Sequence, residues 1–67
     1  SQICAVLKKR REELGWSQQQ LATKAGMQRS YVSDVEQGRR NISVANFCRL
    51  TTTLKMTGAQ VFTEVGK

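Results

Sequence analysis

The stretch between residues 17 and 38, SQQQLATKAGMQRSYVSDVEQG, constrains the fold more than any other part of the sequence. Ser17 and Gln20 have the spacing of a capping box, a reciprocal pair of hydrogen bonds that starts a helix. Gly26 stands where that helix must end, because glycine adopts the left-handed conformation without a clash at Cβ. A second helix is expected to begin at Gln28 or Arg29 and to end in the same way at the next glycine. The stretch therefore predicts two short helices joined by a glycine turn, the outline of a helix-turn-helix at residues 17–38.

Apolar residues at helical spacing before and after this stretch predict three more helices. They cover residues 2–14, residues 44–54 behind a Ser43 cap, and a short last segment opened by the capping-box pair Thr57 and Gln60. We therefore expect an all-α fold, a compact five-helix domain that spans residues 1–67. The residues expected to face its core are Ile3, Val6, Leu7, Leu14, Leu21, Ala22, Ala25, Val32, Val35, Val44, Phe47, Cys48, Thr51 and Leu54.

The charge balance narrows the choice of partner. The 67 residues contain 11 Lys and Arg against 5 Asp and Glu, a formal net charge of +6. Such a surface attracts phosphates at long range and favours a nucleic acid partner, although many small domains are basic for solubility alone. A chain of this length has room for one small core and none for a buried catalytic cavity with its supporting residues.

The inventory of reactive residues argues against an enzyme, a metal site or a cofactor. The sequence contains no histidine and no clustered carboxylates. Cys4 and Cys48 match no zinc spacing and lie on apolar helix faces, so we expect buried free thiols, which suit a reducing cytoplasm. The sequence shows no apolar run of about 18 residues and no signal-peptide pattern. We therefore expect a cytoplasmic binding protein without a membrane span or a small-molecule substrate.

These residues together resemble the DNA-binding helix-turn-helix domain of the Cro and phage-repressor type, whose fold is lambda-repressor-like. The resemblance is carried by Arg11 to Gly15, Ser17-Gln18, Leu21-Ala22, Gly26, Tyr31-Val32, Val35-Glu36, Gly38 and Leu54. Within that family, RSYVSDVEQGRRNISVANFCRL at residues 29–50 is most similar to the controller proteins of restriction–modification systems. Those proteins are small dimers that regulate their own operon and the endonuclease gene.

The resemblance also implies a partner for Arg11, which borders the buried stripe of the first helix and needs a compensating charge. In the family an arginine and a glutamate pair, and here they fall on Arg11 and Glu36. The residues alone leave an alternative, in which Glu36 pairs with Arg40 four residues on. The sequence departs from the family at Lys55, where a glycine is usual. Either Lys55 adopts a left-handed conformation or the fourth helix ends differently.

The resemblance places the second motif helix in the major groove, where residues near its start meet base edges. The candidates for base reading are Gln28, Arg29, Ser30, Ser33 and Asp34. Arg29 is the strongest of them because its fork bonds guanine O6 and N7 together, and its alternative is a phosphate contact. Asp34 either accepts from a cytosine amino group, orients Arg29, or lies outside the interface.

Phosphate contacts are expected from residues beside the reading helix. They are Gln18, Tyr31, Gln37, Arg39, Arg40 and Asn41. The larger role expected of the Tyr31 ring is packing against the motif. Lys8, Lys9 and Arg10 are expected to add only a diffuse field.

One such domain covers little DNA, so we expect a homodimer on double-stranded DNA. The dimer contact is expected at Val61, Phe62 and Val65, which alternatively only close the monomer core. The leading hypothesis is a sequence-specific transcriptional regulator of the controller type. The alternatives are a phage or plasmid repressor and an antitoxin that carries the same domain.

Overall fold

The computed structural model describes residues 2–56, which form four α-helices and no strand. The helices are α1 (Gln2–Glu13), α2 (Gln18–Ala25), α3 (Arg29–Glu36) and α4 (Val44–Thr53). The all-α prediction is confirmed, and each predicted boundary within this range lies within one or two residues of the observed one. The predicted fifth helix falls on residues outside the described part of the chain.

Two of the helices begin at the serine caps that the sequence indicates. The Ser17 hydroxyl accepts from the Gln20 amide at 3.0 Å, and the Gln20 side chain accepts from the Ser17 amide at 2.8 Å, so the capping box is complete. The Ser43 hydroxyl likewise accepts from the Asn46 amide at 3.1 Å. Each bond satisfies an amide that the first turn of a helix leaves without a partner.

The four helices end with the same pattern of backbone hydrogen bonds. After α2 the amide of Gly26 donates to Thr23 and the amide of Met27 donates to Ala22, which is a Schellman motif. The equivalent pair of bonds closes the other three helices. The residue at the turn has a positive φ in every case: Gly15 (75°), Gly26 (71°), Gly38 (72°) and Lys55 (60°). Lys55 therefore takes the left-handed conformation in place of the usual glycine.

The core lies where α2 packs against both α3 and α4, and α1 packs against α3. Its buried apolar residues are Leu7, Leu21, Ala22, Ala25, Val32, Val35, Leu50 and Leu54. Thr51 is also buried, as expected, and donates its hydroxyl to the Cys48 carbonyl at 3.0 Å. Ile3, Leu14 and Trp16 pack against this core from its edge.

Two of the expected core residues are exposed, and four others are only half-buried: Ile3, Val6, Leu14 and Phe47. Val44 is 80% exposed, and Cys48 is exposed, which corrects the expectation of buried thiols; Cys4 is half-buried, and both cysteines are free. The inward face of α4 is defined by Leu50 and Leu54, and Cys48 is turned away from that face by the helical rotation of about 100° per residue. Val44 is the first residue of α4 and lines an open groove instead of the core.

Candidate nucleic-acid interface

The outward face of α3 carries a row of polar side chains. Ser30, Ser33 and Asp34 recur at the spacing of one helix face, and Gln37 continues it just after the helix ends. On the opposite face Val32 and Val35 are each 1% exposed and anchor the helix to the core. The short helix is therefore held by its apolar side while its polar side remains open to a partner.

The remaining base-reading candidates lie at the start of the same helix. Gln28 is the N-cap residue and Arg29 is the first residue of α3, and both are exposed. The Gln28 side chain makes no capping bond, so it is not committed to the helix end. Within this face, the Gln37 side chain donates to the Ser33 hydroxyl at 3.1 Å.

A buried ion pair fixes α3 against α1. The Arg11 Nε and Nη2 atoms donate to the two carboxylate oxygens of Glu36 at 2.8 and 3.1 Å, the bidentate geometry of a strong pair. The two side chains are only 10% and 3% exposed. Arg11 also donates from Nη1 to the carbonyl oxygen of Trp16 at 2.7 Å, which ties in the turn before α2. Arg40, the alternative partner of Glu36, pairs with Asp34 instead.

Gln18 joins the same network from α2. Its Nε2 atom donates to Glu36 Oε1 at 3.1 Å, and the side chain is half-buried. Because an amide nitrogen carries two hydrogens, one remains for a further acceptor. The carboxylate of Glu36 thus holds side chains of both neighbouring helices, and the three helices of this region are fixed in relation to one another.

A second cluster links α3 to the loop after it and to α4. The Tyr31 hydroxyl accepts from Asn46 Nδ2 at 2.9 Å, while the Tyr31 ring packs against the core as expected. The Arg40 guanidinium lies 5.2 Å from the centre of that ring, in cation–π contact. Arg40 Nη2 is also 3.8 Å from Asp34 Oδ2. The neighbouring loop residues Arg39 and Asn41 are exposed beside it.

The comparisons with known proteins place the chain in a family. The HTH_3 helix-turn-helix family matches residues 7–61, most of the sequence. The chain belongs to this family. The expected resemblance to helix-turn-helix proteins is confirmed. Residues 17–38, for which two helices and a glycine turn were predicted, contain α2, the turn at Gly26, and α3.

The relatives of this helix-turn-helix protein include restriction–modification controllers. It is 32% identical to the control protein C.MunI of Mycoplasma sp over 60 residues, 90% of this chain and 81% of that protein. The crystal structure of the controller C.AhdI from Aeromonas hydrophila has a TM-score of 0.87 at 38% identity, covering 91% of this chain and 92% of that one. The controller C.Esp1396I, solved as a tetramer with its natural 35-base-pair operator, has a TM-score of 0.88 at 28% identity, covering 100% and 93% of the two chains.

Two residues of the helix-turn-helix protein have contacts that the sequence did not indicate. Asn46 is hydrogen-bonded to Tyr31 although 15 positions separate them. The sequence placed Asn46 in the first turn of α4, three residues after the Ser43 cap, but did not indicate this partner. Arg10 was expected to contribute only a diffuse electrostatic field. It donates from Nε to the Leu54 carbonyl oxygen at 3.0 Å, and its Nη1 atom lies 4.0 Å from Glu13 Oε1. It therefore helps to close the end of α4.

The expected dimer contact at Val61, Phe62 and Val65 lies outside the described residues. Within residues 2–56, no helix has the length and apolar composition that would let it cross a membrane. The same residues hold no group of three or more metal-ligating side chains.

Proposed function

We propose that this chain is a sequence-specific DNA-binding regulator of transcription, of the restriction–modification controller type. The observation that carries the proposal is the rigid mounting of α3. Its inner side is anchored by Val32 and Val35, and its C-terminal end is held by the buried Arg11–Glu36 pair. A reading helix must be held in this way, because base discrimination depends on side chains that arrive at the groove in a fixed register.

The polar face of α3 supplies the base readers. Arg29 begins the helix, and its exposed guanidinium is free to bond guanine O6 and N7 in the major groove. Gln28, Ser30, Ser33 and Asp34 read neighbouring base edges directly or through water. Ser30, Ser33 and Asp34 lie on the open face of α3, opposite Val32 and Val35, and Gln28 is exposed at the N-cap.

Phosphate contacts position this face on the duplex. Gln18 offers one amide hydrogen beyond the one that it donates to Glu36. Gln37, Arg39 and Asn41 are exposed beside the reading helix, and Arg40 and Tyr31 form a cation–π unit on the same side. These contacts give affinity without sequence information, since every base pair carries the same phosphates.

The regulator acts as a homodimer on a palindromic or nearly palindromic operator. One domain buries too little DNA surface for tight specific binding, and two reading helices about 34 Å apart would enter successive major grooves on one side of the duplex. The relation to controllers, one of which was solved as a tetramer on its operator, supports this assembly. The proposal includes a single cytoplasmic domain over residues 1–67 that binds DNA and catalyses no reaction.

The test separates base reading from phosphate binding. A duplex selected from a random library serves as the operator, and a scrambled duplex of the same composition serves as the control. Arg29→Ala should weaken operator binding by about 1–3 kcal/mol and leave binding to the scrambled duplex nearly unchanged. Arg40→Ala should weaken binding to both duplexes alike and reduce the slope of log K against log salt by about 1.

The two variants are titrated by fluorescence anisotropy at two salt concentrations, alongside the wild type. Equal losses on both duplexes for Arg29→Ala would remove it from the base-reading set. Failure of the wild type to prefer the selected duplex over the scrambled one would overturn the proposed function itself.

A further inference from the structure

Asp34 is an acidic residue on a surface proposed to face phosphates. It lies on the polar face of α3, where it is the last of the base-reading candidates, and its side chain is 37% exposed. The other acidic residue of α3, Glu36, is 3% exposed and neutralised by Arg11. Asp34 is therefore the one carboxylate of α3 that a DNA backbone would meet, and a negative charge in that place repels it.

The contacts of Asp34 determine what that charge does in the free protein. Its Oδ2 atom lies 3.8 Å from Arg40 Nη2, and the Arg40 side chain is 55% exposed. Arg40 also lies over the Tyr31 ring at 5.2 Å, and the hydroxyl of that ring is held by Asn46 at 2.9 Å. The ring and the carboxylate together define one resting position for the guanidinium, on the side of α3 proposed to face DNA.

A carboxylate paired with Arg40 in this way is expected to lower the affinity of the protein for every DNA sequence. A phosphate that binds Arg40 must compete with Asp34 for the same guanidinium, and the carboxylate itself adds repulsion. Both costs are the same on every duplex because every duplex carries the same backbone charge. A sequence that places a base amino group against Asp34 offsets them, since a carboxylate accepts a hydrogen bond from the cytosine N4 amino group.

We propose that Asp34 is a specificity-determining residue. It weakens binding to all DNA by holding Arg40, and this loss is offset only at an operator that places a base amino group against the Asp34 carboxylate. The inference rests on the proposed DNA-binding function and adds a repulsive element to it. Specific recognition uses such elements because a site discriminates by the difference between two affinities.

The test compares Asp34→Ala with a matched charge change on α1. Asp34→Ala removes both the charge and the acceptor, and alanine is tolerated well inside a helix. Glu13→Ala removes the same charge from an ion pair within α1, in which Glu13 Oε1 lies 4.0 Å from Arg10 Nη1. Circular dichroism first establishes that both variants are folded, and affinities for the operator and scrambled duplexes are then measured at the same salt concentration.

Asp34→Ala should raise affinity for the scrambled duplex about three- to fivefold. This is the size expected when one exposed ion pair is lost together with the repulsion between the Asp34 carboxylate and the phosphates. It should leave operator affinity unchanged or lower, so that the ratio of the two affinities falls at least threefold. Glu13→Ala should change both affinities by the same small factor. In an Arg40→Ala background, the gain of Asp34→Ala on the scrambled duplex should shrink, because the guanidinium for which Asp34 and the phosphate compete is already gone.

The outcomes separate this inference from the function on which it rests. A wild type without sequence preference would overturn the proposed function. A wild type with sequence preference, combined with an Asp34→Ala variant whose two affinities change by equal factors or not at all, would overturn the role of Asp34 alone.

Discussion

At the scale of residues, neighbouring arginines in this chain have unrelated roles. Arg10 donates to the carbonyl oxygen of Leu54, the residue that follows α4, while Arg11 is buried against Glu36. Arg40 rests on an aromatic ring at the surface. The sequence indicated the role of Arg11, which borders the buried stripe of α1, but not the contacts of Arg10 and Arg40, which depend on the element that each one meets. The buried pair is the one whose loss should affect the fold most.

Glu36→Gln should lower the free energy of unfolding by about 2–4 kcal/mol, because it leaves the Arg11 guanidinium buried without a compensating charge. Urea denaturation followed by circular dichroism measures this loss. Glu13→Gln provides the matched control, since it breaks an exposed pair at 4.0 Å and should cost less than about 0.5 kcal/mol. Similar midpoints for the two variants would show that the buried pair contributes no more than a surface pair.

At the scale of elements, the four helices share one type of ending but not one type of residue. Three close on a glycine and α4 closes on Lys55, with φ of 60°. The left-handed region is unfavourable for a residue with a Cβ, so the turn after α4 is held by its surroundings. The Arg10 bond to the Leu54 carbonyl is one such constraint.

Lys55→Gly should stabilise the protein by about 0.5–1 kcal/mol, because glycine occupies the left-handed region without strain. For a domain of this size, such a gain raises Tm by about 2–8 °C. Lys55→Ala is the control: it also removes the lysine charge but keeps the Cβ, and it should leave Tm nearly unchanged. A rise of the same size for alanine would assign the effect to charge and not to backbone strain.

At the scale of the whole molecule, the affinity for DNA is expected to depend on dimerisation and on net charge. A formal charge of +6 supports association with any duplex, whereas specificity requires two reading helices in a fixed relation. The proposed contact at Val61, Phe62 and Val65 remains a prediction, since these residues lie outside the described part of the chain.

Val65→Glu should weaken self-association, because it introduces a charge into an apolar contact. Sedimentation velocity over a range of concentrations measures the change, and circular dichroism establishes that the variant is folded. Lys67→Glu is a control that introduces the same side chain two residues away. An unchanged association constant for Val65→Glu would exclude Val65 from the interface.

Local signals in the sequence determined most of the elements. Serine caps and glycine stops depend on interactions within one turn, so Ser17, Gly26 and Ser43 marked helix ends that the structure confirms. The inward-facing residues of α2 and α3 were predicted from helical spacing, which is also a local property of the sequence. The inward face of α4 was only partly predicted, because Val44 and Cys48 fit the apolar pattern but are exposed.

Only the tertiary structure decided which side chains meet across the fold. The link between Asn46 and Tyr31, the capping of α4 by Arg10, and the pairing of Arg40 with Asp34 instead of Glu36 join residues on different elements. The sequence by itself determined an all-α chain with a capped pair of helices and a polar outer face. It did not determine these contacts, because they depend on the angles at which helices pack and not on spacing along any one of them.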